Sequence, residues 1–274
     1  MALTAAGIDN VRFEARLLLS RASGLSTEEL ISHGRDVAPA PVGETLRALT
    51  ARRVKREPMA YILGEREFWG LPFTVSPAVL VPRPDSETVI EAVLGLAPDR
   101  TRPLRVVDLG VGSGCLLLTL LRQYPNASGI GFEASAEALA VARANAAALG
   151  VEARVNWIEG DWRQPGWVSA LGGPFDLLVS NPPYVESGAI AGLMPEVARF
   201  EPKLALDGGA DGLEAYRAVA AAAPRLLVSG GHAVVEVGEG QAIDVAGLFS
   251  AAGLIPRVPL KDLGGIERVV VAAQ

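Results

Sequence analysis

The chain begins with a stretch in which apolar and polar positions alternate at helical spacing. Over residues 1–75 apolar side chains recur every three or four positions, most clearly in the segment 11–19. Ser26 and Glu29 have the spacing of a capping box, which predicts that a helix begins there. A further helix is predicted to end at Pro58, because proline cannot continue one. Residues 1–75 are therefore predicted to form a small helical domain.

Glycine and proline divide residues 67–84 into short extended runs. Runs of this kind, separated here by Gly70 and Pro72, predict a β-hairpin. We expect the hairpin linker to include residues 76–84, and a second domain to occupy residues 85–274.

Strand-like and helix-like segments alternate from residue 104 onwards. Strands are predicted at 105–107, 127–132, 155–158, 175–179 and 233–237, and helices at 115–124, 136–150 and 213–227. Repeated βα units predict an α/β fold with a mostly parallel sheet and helices on both faces. The last residues predict two strands around Gly264 and Gly265, which would close the sheet with an antiparallel hairpin.

Composition limits the class of protein and its partners. Hydrophobic residues make up 50% and charged residues 20% of the 274 residues, which excludes a disordered chain. A net charge of −6 argues against direct nucleic-acid binding and against a polybasic membrane protein. One cysteine and two histidines exclude an internal disulfide and a structural zinc cluster. No apolar run approaches the ~18–20 residues of a membrane span, so we expect a soluble cytoplasmic protein without a membrane partner.

Basic side chains are concentrated in one predicted helix of the first domain. They are Arg47, Arg52, Arg53, Lys55 and Arg56. This run is typical of a solvated helix face, and it also suits a docking surface for an acidic or RNA-associated partner. Both interpretations are open at this point.

A glycine-rich loop follows the first predicted strand of the second domain. The candidate cofactor-binding residues in it are Asp108, Gly110, Val111, Gly112, Ser113 and Gly114. Its G-x-G-x-G spacing brings the third glycine one position earlier than in the dinucleotide fingerprint G-x-G-x-x-G, which disfavours a nicotinamide enzyme. We therefore predict an S-adenosylmethionine site.

Acidic and aromatic side chains at the ends of the next two strands could bind the ribose and the adenine of that cofactor. Glu133 can accept hydrogen bonds from both ribose hydroxyls, although a surface glutamate is the alternative. Asp161 can accept from the adenine amino group. Trp162 can pack on the adenine ring or be a core aromatic residue, and both interpretations are open.

The segment Asn181-Pro182-Pro183-Tyr184 follows an apolar strand and indicates the reaction. Two prolines remove N–H donors and leave carbonyls that only accept, and Asn181 adds a side-chain carbonyl. Such acceptors can hold a planar NH₂ group against the face of Tyr184 and aim its nitrogen at an activated methyl. This arrangement predicts methyl transfer to a conjugated amine or amide without a general base. Without this context, the tripeptide Asn-Pro-Pro is more often a turn.

Seven segments distributed over nearly the whole chain carry a family resemblance. They are EPMAYILGEREFWGLPFTV (57–75), VLVPRPDSETVIEAVL (79–94), DLGVGSG (108–114), SNPPYV (180–185), RFEPKLALDGGADGLEAYR (199–217), GHAVVEVGEGQ (231–241) and KDLGGIERVV (261–270). In these segments the chain resembles the HemK/PrmC family of protein-(glutamine-N5) methyltransferases, which act on peptide-chain release factors.

The resemblance implies a helical N-terminal domain, a hairpin linker and a Rossmann-like class I methyltransferase domain. It implies transfer of a methyl group from S-adenosylmethionine to the glutamine of the release factor's Gly-Gly-Gln loop, leaving S-adenosylhomocysteine. Gly110 to Gly114, Glu133, Trp162 and Asn181 would line the cofactor site. Asn181, Pro182, Pro183 and Tyr184 would hold the glutamine amide, with Asn181, Pro182 and Tyr184 as the catalytic residues. The first domain would dock the release factor, which gives Arg52, Arg53 and Arg56 a role.

Three positions depart from the family pattern. Val111 replaces a usual threonine, Glu133 replaces a commoner aspartate, and Ala60 stands where glutamine is frequent. Three alternatives remain open: a methyltransferase acting on an exocyclic amine of a nucleic-acid base, a non-catalytic module that binds a termination factor, and a nicotinamide-dependent enzyme.

Overall fold

The computed structural model describes residues 2–274. The helices are α1 (Ala2–Ala5), α2 (Val11–Ser23), α3 (Thr27–Ser32), α4 (Ala40–Val54), α5 (Met59–Leu63), α6 (Glu87–Leu96), α7 (Cys115–Gln123), α8 (Ala136–Ala148), α9 (Trp167–Ala170), α10 (Pro195–Phe200), α11 (Glu214–Leu226) and α12 (Ala242–Ala251). The strands are β1 (Glu65–Phe68), β2 (Leu71–Thr74), β3 (Arg105–Leu109), β4 (Ser128–Glu133), β5 (Val155–Glu159), β6 (Phe175–Ser180), β7 (Leu227–Glu236), β8 (Ile255–Pro256), β9 (Leu260–Lys261) and β10 (Glu267–Ala273). Within residues 2–274, no helix is both long and apolar enough to cross a membrane.

The N-terminal helices α1, α2, α4 and α5 share a small apolar core. Its buried members are Leu3, Ile8, Leu18 and Ile62. The capping box at the start of α3 is confirmed, because the Glu29 amide donates to Ser26 Oγ and the Ser26 amide donates to Glu29 Oε2. Helix α4 ends before Pro58, as predicted, but the short helix α5 directly after Pro58 was not predicted.

The β-hairpin lies earlier in the chain than the predicted linker. β1 and β2 pair antiparallel and are joined by Trp69 and Gly70. Both residues have positive φ, the backbone that a two-residue hairpin turn needs. The assignment of part of the hairpin to residues 76–84 is wrong, since that segment contains no strand. Its prolines lack the N–H donors that a strand ladder requires. The division of the chain into domains at these boundaries stays a prediction.

The large sheet has the predicted mixed topology. Its order is β5-β4-β3-β6-β7-β10-β8, and β9 also pairs with β10. The five strands from β5 to β7 in this order are parallel to their neighbours, whereas β10 is antiparallel to β7, β8 and β9. The closing antiparallel hairpin is therefore confirmed.

Alternate residues of the central strands bury into two separate cores. Val106 of β3 belongs to the core formed with α6, α7 and α8, which also contains Phe68 and Phe73 of the hairpin. Val107 belongs to the core formed with α11 and α12. This alternation places helices on both faces of the sheet, because successive strand residues point to opposite sides.

Candidate active site

The site lies where the strand order of the sheet reverses. β4 and β6 pair with opposite edges of β3, so a crevice opens beyond the carboxyl ends of these strands. A cavity of about 720 Å³ occupies this crevice. It is lined by the predicted site residues Asp108, Gly110, Val111, Gly112, Ser113, Glu133, Asp161, Trp162, Asn181 and Pro183. Three other predicted residues, Gly114, Pro182 and Tyr184, lie outside this lining.

The glycine loop follows β3 with a backbone that other residues rarely adopt. φ is +77° at Gly110 and +84° at Gly114. A Cβ on Gly110 would lie 3.3 Å from Cη2 of Trp162, and one on Gly114 would lie 2.8 Å from Cδ1 of Leu118. Gly110 therefore lets the Trp162 ring approach the loop, whereas Gly114 lets α7 pack closely against it.

Glu133, the last residue of β4, ties the glycine loop to the neighbouring strand end. Its Oε2 accepts from the Gly112 amide at 3.0 Å, and its Oε1 accepts from the Ala134 and Ser135 amides at 2.8 and 3.0 Å. A carboxylate has about four acceptor positions, so Oε2 keeps one for a ligand in the cavity. The side chain thus has a structural function in addition to its predicted one.

Asp108 brings an acid with one unpartnered oxygen into the lining of the cavity. The side chain is buried, and its Oδ1 has no hydrogen-bond partner. Burial, with a smaller contribution from the nearby Glu133 charge, raises the pKa of Asp108 to about 8. A buried acceptor of this kind suits a cationic or hydrogen-bond-donating ligand.

Asp161 and Trp162 form the far end of the cavity. Both oxygens of Asp161 accept from the Arg163 guanidinium, at 2.7 to 3.0 Å, and this pairing lowers the pKa of Asp161. Both interpretations of Trp162 agree with its position, since the ring lines the cavity and also packs against the core under α11.

Asn181 follows β6 and has its side-chain amide fixed by a serine. Its Nδ2 donates to Ser86 Oγ at 3.2 Å. Ser86 is buried just ahead of α6, 95 positions away in the sequence. With the NH₂ group so engaged, the Asn181 carbonyl oxygen remains available as an acceptor. Burial first, and then the Glu236 charge, raises the pKa of Tyr184 to about 12.

Sequence reasoning did not single out the opposite wall of the cavity. Arg83, Lys203 and Leu204 line this side. Arg83 Nη2 forms an ion pair with Glu201 Oε1 at 2.6 Å, and the Glu201 side chain is buried. These two residues are 118 positions apart, so only the folded chain brings them together.

Comparison with known proteins agrees with this geometry. A family model described as the PrmC N-terminal domain matches residues 1–64, and one described as the methyltransferase small domain matches residues 93–198. The release factor glutamine methyltransferase of Rhodospirillum rubrum is 47% identical over 98% of this chain and 81% of that protein. The protein of the same name from Bradyrhizobium diazoefficiens is 44% identical over 98% of this chain and 90% of its own length. The chain belongs to the release factor glutamine methyltransferase family.

The fold of this family member is also that of class I methyltransferases. A methyltransferase structure from Pyrococcus furiosus superposes with a TM-score of 0.54 at 16% identity, covering 84% of this chain and 98% of that one. At this identity the likeness shows the fold alone. The predicted Rossmann-like class I architecture is confirmed, and the chain is an enzyme of the methyltransferase class.

The basic helix of this methyltransferase is a solvated face at Arg47, Arg52 and Lys55, which are exposed, but not at Arg53. Arg53 is buried and donates to Glu14 at 2.7 and 3.0 Å and to Glu196 at 2.9 Å. Arg56 Nη2 donates to the other oxygen of Glu196 at 2.8 Å. These two arginines therefore bind the end of α4 and the residues after it to α10 within the chain. The solvated interpretation is wrong for Arg53, and the docking role of both arginines stays a prediction. Arg52 is more exposed and pairs with Glu57.

Proposed function

We propose that this enzyme transfers a methyl group from S-adenosylmethionine to N5 of the glutamine in the Gly-Gly-Gln loop of peptide-chain release factors. The observation that carries the proposal is the position of Asn181. Its side-chain carbonyl is left as an acceptor in the same cavity as the glycine loop and Glu133. Family membership supports the protein substrate.

The donors and acceptors of the cavity suit S-adenosylmethionine, which supplies an activated methyl group on a sulfonium when bound. Asp108 offers the unpartnered carboxylate oxygen that a cationic amino-acid part needs. Gly112 leaves room for a ligand to approach the backbone. Glu133 would accept from the ribose, and Asp161 and Trp162 would bind the adenine.

The acceptor amide would be bound by the segment after β6, beside the point where Asn181 and Pro183 line the cavity. An amide nitrogen is a poor nucleophile because its lone pair is delocalised. Asn181 Oδ1 and the carbonyl of Pro182 would accept its two hydrogens, and Tyr184 would support the amide plane. Holding the nitrogen in line with the methyl group supplies acceleration by orientation, for which effective molarities reach ~10⁵–10⁸ M.

The charge of the protein favours a protein substrate over a nucleic acid. Residues 85–274 carry a net charge of −8, whereas contacts with phosphates need basic residues. Release factors act in translation, so we expect the enzyme to act in the cytoplasm.

The test compares acceptors in the presence of methyl-labelled S-adenosylmethionine. We expect one added methyl on the loop glutamine of a purified release factor, located by mass spectrometry of the tryptic peptide. A release factor whose loop glutamine is replaced by alanine is the matched control and should remain unlabelled. Label in a nucleic acid, or equal label in the control, would overturn the proposed substrate.

A further inference from the structure

Glu236 is a buried carboxylate at the end of the strand next to Asn181. It is the last residue of β7 and is only 1% exposed. Ser180 of β6 is in register with Val235 of β7, so Asn181 and Glu236 are the next residues along the two parallel strands. Glu236 Oε2 has no hydrogen-bond partner. A buried carboxyl without full pairing destabilises the fold, and such groups are concentrated at functional sites.

Ser86 lies between Glu236 and Asn181. Its hydroxyl accepts from Asn181 Nδ2 at 3.2 Å, and Ser86 is near enough to Glu236 to lower the pKa of that carboxyl. A serine hydroxyl has one proton and two acceptor positions. Because it accepts from Asn181, its proton is free to be donated to Glu236.

An ionised Glu236 only accepts, and this property fixes the direction of the whole chain of hydrogen bonds. Ser86 must donate to Glu236, so it presents only lone pairs to Asn181. Asn181 must then direct its NH₂ group at Ser86 and its carbonyl oxygen into the cavity. A protonated Glu236 can instead donate to Ser86, which allows the Asn181 amide to turn over. The turned amide would direct a donor at the substrate NH₂ group, where an acceptor is required.

We propose that Glu236 is a positioning residue that acts through Ser86 to hold the Asn181 amide with its carbonyl oxygen towards the methyl acceptor. The proposal rests on the proposed function of Asn181 and extends it to two residues that do not themselves touch the substrate.

Burial and the surrounding charges place the pKa of Glu236 near neutral pH. Burial raises the pKa of Glu236 to about 7, the Asp85 charge also raises it, and Ser86, Arg268 and Arg83 lower it. The groups that face it from the surrounding elements are Arg83 and Asp85 ahead of α6, Cys115 on α7, Tyr184 after β6, Tyr216 on α11 and Arg268 on β10. Since the ionised form is the positioning form, the function should be present above this pKa and be lost as the pH falls through it.

The kinetic test measures kcat at saturating S-adenosylmethionine and release factor between pH 5.5 and 8.5. We expect the wild-type kcat to fall as the pH decreases below about 7. Glu236→Gln and Ser86→Ala should each lower kcat about tenfold at pH 8. Both variants should also abolish the acid limb, which is the fall of kcat below about pH 7. The dissociation constant of the cofactor should change less than about twofold. The double variant should lose little more than either single one, because both act through one chain of hydrogen bonds.

Asp85→Asn is the matched control, because it removes a neighbouring charge but leaves the hydrogen-bonded chain intact. It should keep the kcat of the wild type at pH 8 and move the acid limb to lower pH. Wild-type kcat and an unchanged acid limb in both Glu236→Gln and Ser86→Ala would overturn the proposal. Should Glu236→Gln fail to fold, as judged by circular dichroism, Ser86→Ala decides alone.

A readout independent of activity separates this proposal from the proposed function. The side-chain amide resonances of Asn181, assigned by their absence in Asn181→Asp, should titrate with a midpoint near pH 7 in the wild type and not in Glu236→Gln. If these resonances titrate but no release factor is methylated, the substrate assignment fails and the positioning role stands. If methylation occurs and they do not titrate, the positioning role fails.

Discussion

Individual acids in the active site are given different charges by their surroundings. Asp108 is buried without an opposite charge, and its pKa is raised to about 8. Asp161 is paired with Arg163, which holds its pKa below the usual range. At neutral pH the cavity therefore has one acid poised to change its charge and one that stays ionised. Proximity to a cationic ligand would favour ionisation of the first.

Asn181 is the residue on which turnover should depend most strongly. In Asn181→Ala the acceptor oxygen is lost while the glycine loop and Glu133 are unchanged, so the substrate amide is no longer aligned. We expect kcat to fall about 100-fold, the order of loss that misplacement of a reacting group produces. Steady-state methylation and calorimetry of cofactor binding check this, and an equal loss in both would contradict it.

Glu133 should instead determine cofactor affinity. Glu133→Ala removes the acceptor for the Gly112 amide as well as the predicted ribose contact. Hydrogen bonds to charged groups contribute about 1.5–3 kcal/mol, so the dissociation constant for S-adenosylmethionine should rise about 10- to 100-fold. Glu133→Asp is the matched variant and should lose less, because it keeps the carboxylate. An unchanged dissociation constant in Glu133→Ala would exclude the ribose assignment.

At the scale of secondary-structure elements, α10 connects the N-terminal helices to the wall of the cavity. Glu196 in its first turn is bound by Arg53 and Arg56, and Glu201, directly after its last residue, is bound by Arg83. The short helix is thus held at both ends by ion pairs. Through this arrangement the N-terminal helices can fix the side of the cavity that Arg83 lines.

The ion pairs of α4 should therefore differ in their contribution to stability. Arg53→Met leaves Glu14 and Glu196 short of a partner in a buried setting, so we expect unfolding free energy to decrease by about 3 kcal/mol. Arg52→Met removes the more exposed pair with Glu57 and should cost no more than about 1 kcal/mol. Urea unfolding of the two variants measures the difference, and equal losses would show that burial of Arg53 is unimportant.

Local patterns predicted the elements whose signal is contained in adjacent residues. The glycine loop, β3 to β6 and the capping box at Ser26 were placed correctly, because spacing alone determines them. Strand β7 begins at Leu227, six residues before its predicted start. The run around Val79 was misjudged, since its apolar residues resemble a strand although the flanking prolines prevent pairing. Its apolar side chains instead pack with Tyr61.

The parts of the site that sequence reasoning missed depend on contacts between distant positions. The pairs Asn181–Ser86 and Arg83–Glu201 are 95 and 118 positions apart. Their residue types are ordinary for a surface, and only the fold shows that Ser86 and Glu201 are buried. The motif after β6 therefore predicts the chemistry of the reaction, whereas it does not predict which distant residues position the motif.

At the scale of the whole molecule, its buried acids should make the protein less stable as the pH rises. The folded-state pKa of Asp108 is raised from 3.8 to about 8 and that of Glu236 from 4.5 to about 7, so the native state binds more protons than the unfolded state between these values. The unfolding free energy should therefore decrease from about pH 5 to about pH 8, by at most about 1.4 kcal/mol per pH unit for each group.

Urea unfolding at pH 5.5, 7 and 8.5 measures this slope. Asp108→Asn should flatten it, whereas Asp211→Asn, which removes an exposed acid with a pKa lowered to about 2, should leave it unchanged. An unfolding free energy that increases across this range, or a slope that Asp108→Asn does not alter, would show that Asp108 is ionised in the folded protein at neutral pH.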